Sequence, residues 1–178
     1  MTTDETITIR PVGPDDDAAF LALVDALADY ESLPRPDEAA RERLRRDRMG
    51  ASPRYEAFLA WDGDEAVGYA ITFQSYSSFL ALPTQYLEDI FVLPAHRGKK
   101  AGLALFLHVA ALARERGCGR MEWTVLDWNT LAQDFYHRLG AKHMHDWYLY
   151  RLTAEELRAL PPFPTTSTPS PDNHEDTR

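Results

Sequence analysis

The residues with the clearest chemical potential lie between Tyr86 and Gly102, in the run YLEDIFVLPAHRGKKAG. Two adjacent carboxylates, Glu88 and Asp89, sit on an apolar stretch with strand character. A proline turn and a basic, glycine-bearing loop follow, and then a long apolar helix begins. A strand-to-helix junction of this kind presents unpaired backbone N–H groups and the positive end of a helix dipole, which together hold phosphate. A carboxylate next to it supplies a base or a wall for a cation. The pattern therefore suggests a phosphorylated carrier meeting a basic small molecule. Because side chains alternate along a strand, only one of Glu88 and Asp89 is expected to point into such a site.

Elements on either side must position these groups. Thr6 to Pro11 alternates as a first strand. Pro14 and the acids at 15–17 open a helix whose apolar positions run from Phe20 to Ala28 and which ends near Tyr30. A second helix starts at Pro36, acidic first and arginine-rich later. With Leu44 as its main apolar residue it should lie on the surface, its arginines at 41–48 forming a solvated face. Tyr55–Trp61 and Ala66–Phe73 form a hairpin about Asp62-Gly63-Asp64. A loop, SYSSFLALPT, then leads to a strand over Tyr86–Leu93. Ala101–Arg116 is a buried helix ended by Gly117 and Gly119. Met121–Leu126 is a strand, Asn129 opens a helix running to Leu139, and Trp147–Leu152 is a last strand. The order β-α-α-β-β-β-α-β-α-β predicts an α+β fold around one mixed sheet (an α/β mixed sheet), antiparallel early and with helical crossovers late. Residues 1–160 read as one domain and 161–178, rich in Pro, Ser and Thr, as a solvated tail.

Composition narrows the function. At 178 residues, with 44% hydrophobic residues and a net charge of −9, the chain reads as a soluble globular protein with a weak preference for basic partners. The charge argues against nucleic-acid binding. One cysteine, Cys118, excludes an intrachain disulfide and fits a reducing compartment, and a histidine or cysteine metal cluster is not expected. No apolar run is long enough for a membrane span, and there is no signal-peptide pattern, so the expected location is the cytoplasm.

The loop Arg97-Gly98-Lys99-Lys100-Ala101-Gly102, read with Asn129 and with Phe135-Tyr136-His137-Arg138-Leu139-Gly140-Ala141, resembles the GCN5-related N-acetyltransferases, the GNAT superfamily. Tyr30-Glu31, Ser75-Tyr76-Ser77, Tyr86-Leu87-Glu88-Asp89 and Trp128-Asn129 make the resemblance closest to the diamine (spermidine/spermine) and thialysine acetyltransferases. It covers about residues 6–155. The resemblance implies a GNAT fold, acetyl-CoA as co-substrate with no metal, and transfer of acetyl to a primary amine by direct attack in a ternary complex. It implies that Arg97, Gly98, Lys99, Lys100, Ala101 and Gly102 cradle the CoA pyrophosphate. The backbone of Ile90, Phe91 and Val92 would pair with the pantetheine arm, and Asn129 would touch that arm. Glu88 would bind the amine and serve as base through a water, Tyr136 would protonate the departing thiolate, and Tyr30 and Glu31 would line the amine site. Asp89 would be structural. An acid found before the last tryptophan in polyamine-specific relatives is here either Asp146 or absent. The implied substrate is a polyamine, diamine or thialysine-like amino acid. Another amine (an amino acid, an aminoglycoside or a protein N-terminus) and a non-catalytic acyl-CoA sensor are the alternatives. A homodimer is implied as well. Lys100 stands where the superfamily pattern has its first glycine; if that position needs φ > 0, lysine costs about 1 kcal/mol there.

Overall fold

A computed structural model describes residues 7–163. The chain divides after Asn129 into two compact units. The first unit is built on a five-stranded sheet in the order β1 (Thr8–Pro11), β2 (Glu56–Asp62), β3 (Glu65–Ser77), β4 (Leu82–Val92) and β5 (Arg120–Glu122). β1 to β4 pair antiparallel, whereas β5 joins β4 in parallel after a helical crossover. The mixed α+β sheet expected from the sequence is present.

Helices cover both faces. α1 (Asp17–Tyr30) buries Phe20, Leu21 and Leu23 against Leu59, Tyr69, Ile71 and Phe91. These strand residues recur at alternate positions, as one face of a sheet requires. α3 (Ala101–Glu115) buries Ala101, Leu105, Phe106, Val109 and Ala113, and its His108 ring packs 4.5 Å from Phe58, which points opposite to Leu59. At Gly68 in β3, an added Cβ would sit 2.6 Å from the Phe91 carbonyl oxygen, so β3 and β4 approach as closely as they do only with glycine there.

α2 (Glu38–Arg48) starts on an Asp37 cap that accepts the Ala40 N–H at 2.7 Å. Of its arginines, Arg43 and Arg46 are exposed as expected, but Arg41, Arg45 and Arg48 are not a solvated face. Arg41 binds Asp25 at 2.7 and 2.8 Å. Arg45 approaches Asp17 at 3.6 Å. Arg48, with a side chain only 7% exposed, binds Asp17 and donates to the Val12 carbonyl. A helix with almost no apolar stripe docks here by matching its late arginines to the carboxylates of α1.

Both ends of the loop expected over 75–84 are strand. Ser75–Ser77 extends β3 and Leu82–Thr84 begins β4, so the turn between them is only 78–81. Conversely, β5 is three residues long and stops well before Leu126.

The second unit contains α4 (Thr130–Arg138), beginning directly after Asn129, and α5 (Ala154–Ala159). The last strand expected over Trp147–Leu152 is not formed. Trp147, Tyr148, Leu149 and Tyr150 are exposed and have no regular structure. Their β propensity is a preference for a paired, half-buried surface, and without that pairing it fixes nothing. α5 escaped the sequence reading although it carries a capping box, with Thr153 Oγ1 accepting from Glu156 N–H and Glu156 accepting from Thr153 N–H. Of the expected tail, residues from 164 onward lie outside the described residues.

Candidate active site

The loop after β4 has the geometry an anion cradle needs. Gly98 adopts φ 84° and Lys100 φ 69°, both left-handed. Lys100 is the residue immediately before α3, and the first bond of that helix runs from the Ala104 N–H to the Lys100 carbonyl at 2.9 Å. The N–H groups of Ala101, Gly102 and Leu103 therefore find no acceptor within the helix. An added Cβ at Gly98 would meet nothing within 4 Å, which leaves the approach to the loop open. These features fit a pyrophosphate. They also answer the question raised by Lys100: the position does require a positive φ, and lysine adopts it under strain.

The three basic side chains of the loop are used differently. Lys99 Nζ lies 2.8 Å from Asp62 Oδ2 at the end of β2, and His96 Nδ1 lies 3.4 Å from the same oxygen, so the hairpin and the loop are tied together. Arg97 folds back, its Nε donating to the Val92 carbonyl at 3.2 Å and its guanidinium lying 4.8 Å from the Tyr30 ring centre. Lys100 is exposed.

β4 carries the second part of the site. β5 pairs with it only at Thr84, Gln85 and Tyr86. Among the described residues no strand pairs with that edge from Leu87 to Val92. The Leu93 N–H bonds to Val67 O in β3, so by alternation Ile90 and Val92 turn their backbone groups to the opposite edge. An extended chain can add there as a strand would, on the backbone groups of Ile90 and Val92; those of Phe91 face β3.

The carboxylates depart from simple alternation. β3 and β4 are in register from Gly68–Val92 to Ile71–Asp89, but the next pair is Thr72–Leu87. Glu88 is the extra residue of a β-bulge, left without a partner on β3. It is exposed, while Leu87 is buried. Asp89 lies across from Ile71, mostly buried, and accepts the Tyr69 hydroxyl at 3.3 Å. Its carboxyl is pushed up to about 6, chiefly by burial and then by the charge of Glu88, with Glu31 adding to the effect; the Tyr69 bond opposes the shift. The Tyr69 phenol is itself held well above its ordinary value by burial, so it stays protonated as a donor. Glu31, just past the end of α1, is half-buried and also raised by desolvation. The charges of Glu88 and Glu31 thus both act on Asp89. The sequence reading gave Asp89 no chemical part, and the burial that raises its carboxyl has no signature in residue type.

An aromatic group completes this unit. Tyr30 lies between Phe91, at 6.1 Å between ring centres, and Trp128, at 5.8 Å. Asn129 is half-buried and its N–H bonds to the Leu126 carbonyl at 3.0 Å. Cys118, after α3, has its sulfur 3.7 Å from Gln74 Nε2. In the second unit Tyr136 is buried, its ring 5.4 Å from Phe135, and desolvation pushes its hydroxyl up to about 12. Asp146 is exposed. Among the described residues no group of three His, Cys, Asp or Glu side chains could hold a metal ion, and no helix is long and apolar enough to cross a membrane.

Comparison with known proteins gives concordant results. The family model described as acetyltransferase (GNAT) family matches residues 20–141. The thialysine N-ε-acetyltransferase of Bos taurus is 34% identical over 86% of this chain and 96% of its own length. An L-ornithine N5-acetyltransferase of Arabidopsis thaliana is 41% identical over 61% of this chain and 48% of its own. Among solved structures, an integron cassette protein from the mobile metagenome of V. cholerae superposes with a TM-score of 0.74 at 22% identity, over 86% of this chain and 96% of that one. The aminoglycoside N-acetyltransferase AAC(6')-Iy, solved with CoA, does so with a TM-score of 0.68 at 23% identity, over 83% and 95%.

Proposed function

Since the chain belongs to the acetyltransferase (GNAT) family, an acetyl-CoA-dependent N-acetyltransferase, we propose that its acceptor is the side-chain amine of a small, multiply cationic molecule. A thialysine- or ornithine-like diamino acid fits best, and diamines and polyamines belong to the same class. The observation that carries this reading is a mostly buried carboxylate, Asp89, raised to about 6 chiefly by burial and further by the charges of Glu88 and Glu31. Carboxylates crowded into repulsion are relieved by a cation that binds among them. The named relatives acting on thialysine and ornithine support the same class.

In this mechanism the loop N–H groups of Ala101, Gly102 and Leu103, with Gly98 and Lys100 shaping the approach, hold the pyrophosphate. Ile90 and Val92 offer their backbone edge to the pantetheine arm, and Asn129 contacts it. The thioester of acetyl-CoA supplies the activated acetyl carbon. Glu88, standing out from the bulge, binds the ammonium and takes its proton, directly or through a water. A free alkyl amine has a pKa of about 10.4, so roughly one molecule in 10³ is neutral at pH 7, and reaching the nucleophilic form costs about 4–5 kcal/mol. The amine nitrogen then bonds to the acetyl carbon as the carbon–sulfur bond breaks. Tyr136, protonated at any working pH because burial holds it at about 12, donates its proton to the departing sulfur. The acids that bind the ammonium also raise its pKa, so binding and activation oppose each other and the rate should climb above pH 7.

We further infer a homodimer in the cytoplasm, an inference supported by the resemblance to diamine acetyltransferases and by a single cysteine in 178 residues. Light scattering on the purified chain tests the dimer. A thiol-release assay with thialysine, lysine, ornithine, putrescine and spermidine tests the acceptor. The highest kcat/KM is expected on a diamino acid or diamine. Acetyl-CoA binding without turnover on any of the five would sink the reading.

A further inference from the structure

We propose that Tyr30 is a positioning residue for acetyl-CoA, acting through the guanidinium of Arg97. The proposal rests on the reading that the loop after β4 holds the CoA pyrophosphate.

The Tyr30 ring is fixed from two sides, by Phe91 at 6.1 Å with a 50° tilt and by Trp128 at 5.8 Å with a 53° tilt. The Arg97 guanidinium lies over it at 4.8 Å, and 6.0 Å from the Phe91 ring centre. A cation over a tyrosine face is attracted by the ring quadrupole, and more strongly where water is partly excluded. Arg97 Nε is separately tied to the Val92 carbonyl at 3.2 Å. One aromatic face and one hydrogen bond hold the guanidinium in place. The hydrogens on its two Nη atoms lie in the guanidinium plane, and this paired set matches two phosphate oxygens. Among the described residues no carboxylate pairs with Arg97, in contrast to Lys99, which is engaged by Asp62 at 2.8 Å. Of the basic side chains flanking the loop, Arg97 is therefore the one that is both preoriented and without a counter-ion, and Tyr30 is what orients it. Without the ring, the three-carbon stem would sample many rotamers, and binding a phosphate would have to order it.

The test is the affinity of CoA, measured by calorimetry on the full chain, for wild type, Tyr30→Phe, Tyr30→Leu, Arg97→Leu and the Tyr30→Leu/Arg97→Leu double variant. Tyr30→Leu should weaken CoA about tenfold. Tyr30→Phe keeps the ring face and should stay within about twofold. The Tyr30→Leu effect should vanish in the Arg97→Leu background, and acetyl-pantetheine, which lacks the pyrophosphate, should bind Tyr30→Leu and wild type alike. Unchanged CoA affinity in Tyr30→Leu with a raised KM for the amine would overturn the proposal. So would a tenfold loss in Tyr30→Phe, or a Tyr30→Leu loss that persists without Arg97. If Tyr30→Leu does not fold, Tyr30→Phe and Arg97→Leu decide: the proposal fails unless the first is near wild type and the second weakens CoA but not acetyl-pantetheine. A wild type that binds CoA no better than acetyl-pantetheine would overturn the pyrophosphate reading itself, and this proposal with it.

Discussion

Replacing Asp89 by asparagine should make the protein more stable at neutral pH while weakening its hold on the amine. Asparagine keeps an oxygen for the Tyr69 hydroxyl and nearly the same shape, but removes a charge that is mostly buried beside Glu88 and Glu31. A carboxyl that ionises at about 3.9 in an unfolded chain and at about 6 in this fold penalises the folded state once ionised. The folded state binds more protons than the unfolded one between those values, so stability falls as pH rises through that window. At 1.36 kcal/mol per pH unit the penalty is ~3 kcal/mol at pH 7, about half that at pH 5, and close to nothing below pH 4. Urea denaturation of both proteins at pH 4, 5, 6 and 7, with equal m-values, should show an Asp89→Asn advantage that opens over this range. A difference that is flat with pH, or a variant less stable than wild type at pH 7, would refute the reasoning. In the thiol-release assay the same variant should show a higher KM for the amine and an unaltered KM for acetyl-CoA.

Tyr136→Phe should lower kcat by at least about 10²-fold, the lower range for loss of a positioned general acid; single-turnover rates equal to wild type would remove Tyr136 from the chemistry. Lys100→Gly should relieve a left-handed φ of 69° and stabilise the chain by ~1 kcal/mol. That corresponds to a Tm gain of roughly 3 °C for a chain of this size, and an unmoved melting curve would show the lysine to be unstrained. Arg48→Met leaves Asp17 with Arg45 alone and the Val12 carbonyl without its donor. A loss of ~2–3 kcal/mol is expected in the denaturation midpoint; a loss under ~0.5 kcal/mol would make the contact ornamental.

Much of the first unit could be read from the sequence because its signals are local. Alternation located the strands, the Asp62-Gly63 turn located a hairpin, and the apolar spacing from Leu103 to Ala113 located α3. The loop could be read because its glycines and lysines sit beside a helix start and match the GNAT pattern, which also showed Lys100 standing where a glycine is expected. Three things could not be read. The bulge at Glu88 leaves no trace in residue type, so alternation alone assigned the two carboxylates to opposite faces. The perturbed Asp89 depends on burial beneath α1, and the Arg97–Tyr30 stack joins residues distant in the chain. Trp147–Leu152 shows the converse: residues with every local mark of a strand remain irregular where no ladder takes them up.

The bulge has a bearing on how variants of this enzyme can be read. Glu88 occupies a place that the sheet does not use, with no partner across β3 and no share in the core, while Leu87 and Phe91 on either side are buried. Its identity is thus largely free of the demands of folding. A substitution at 88 should therefore cost little stability, so its effect on activity reads chemistry alone, whereas the same change one position earlier would strike the interior.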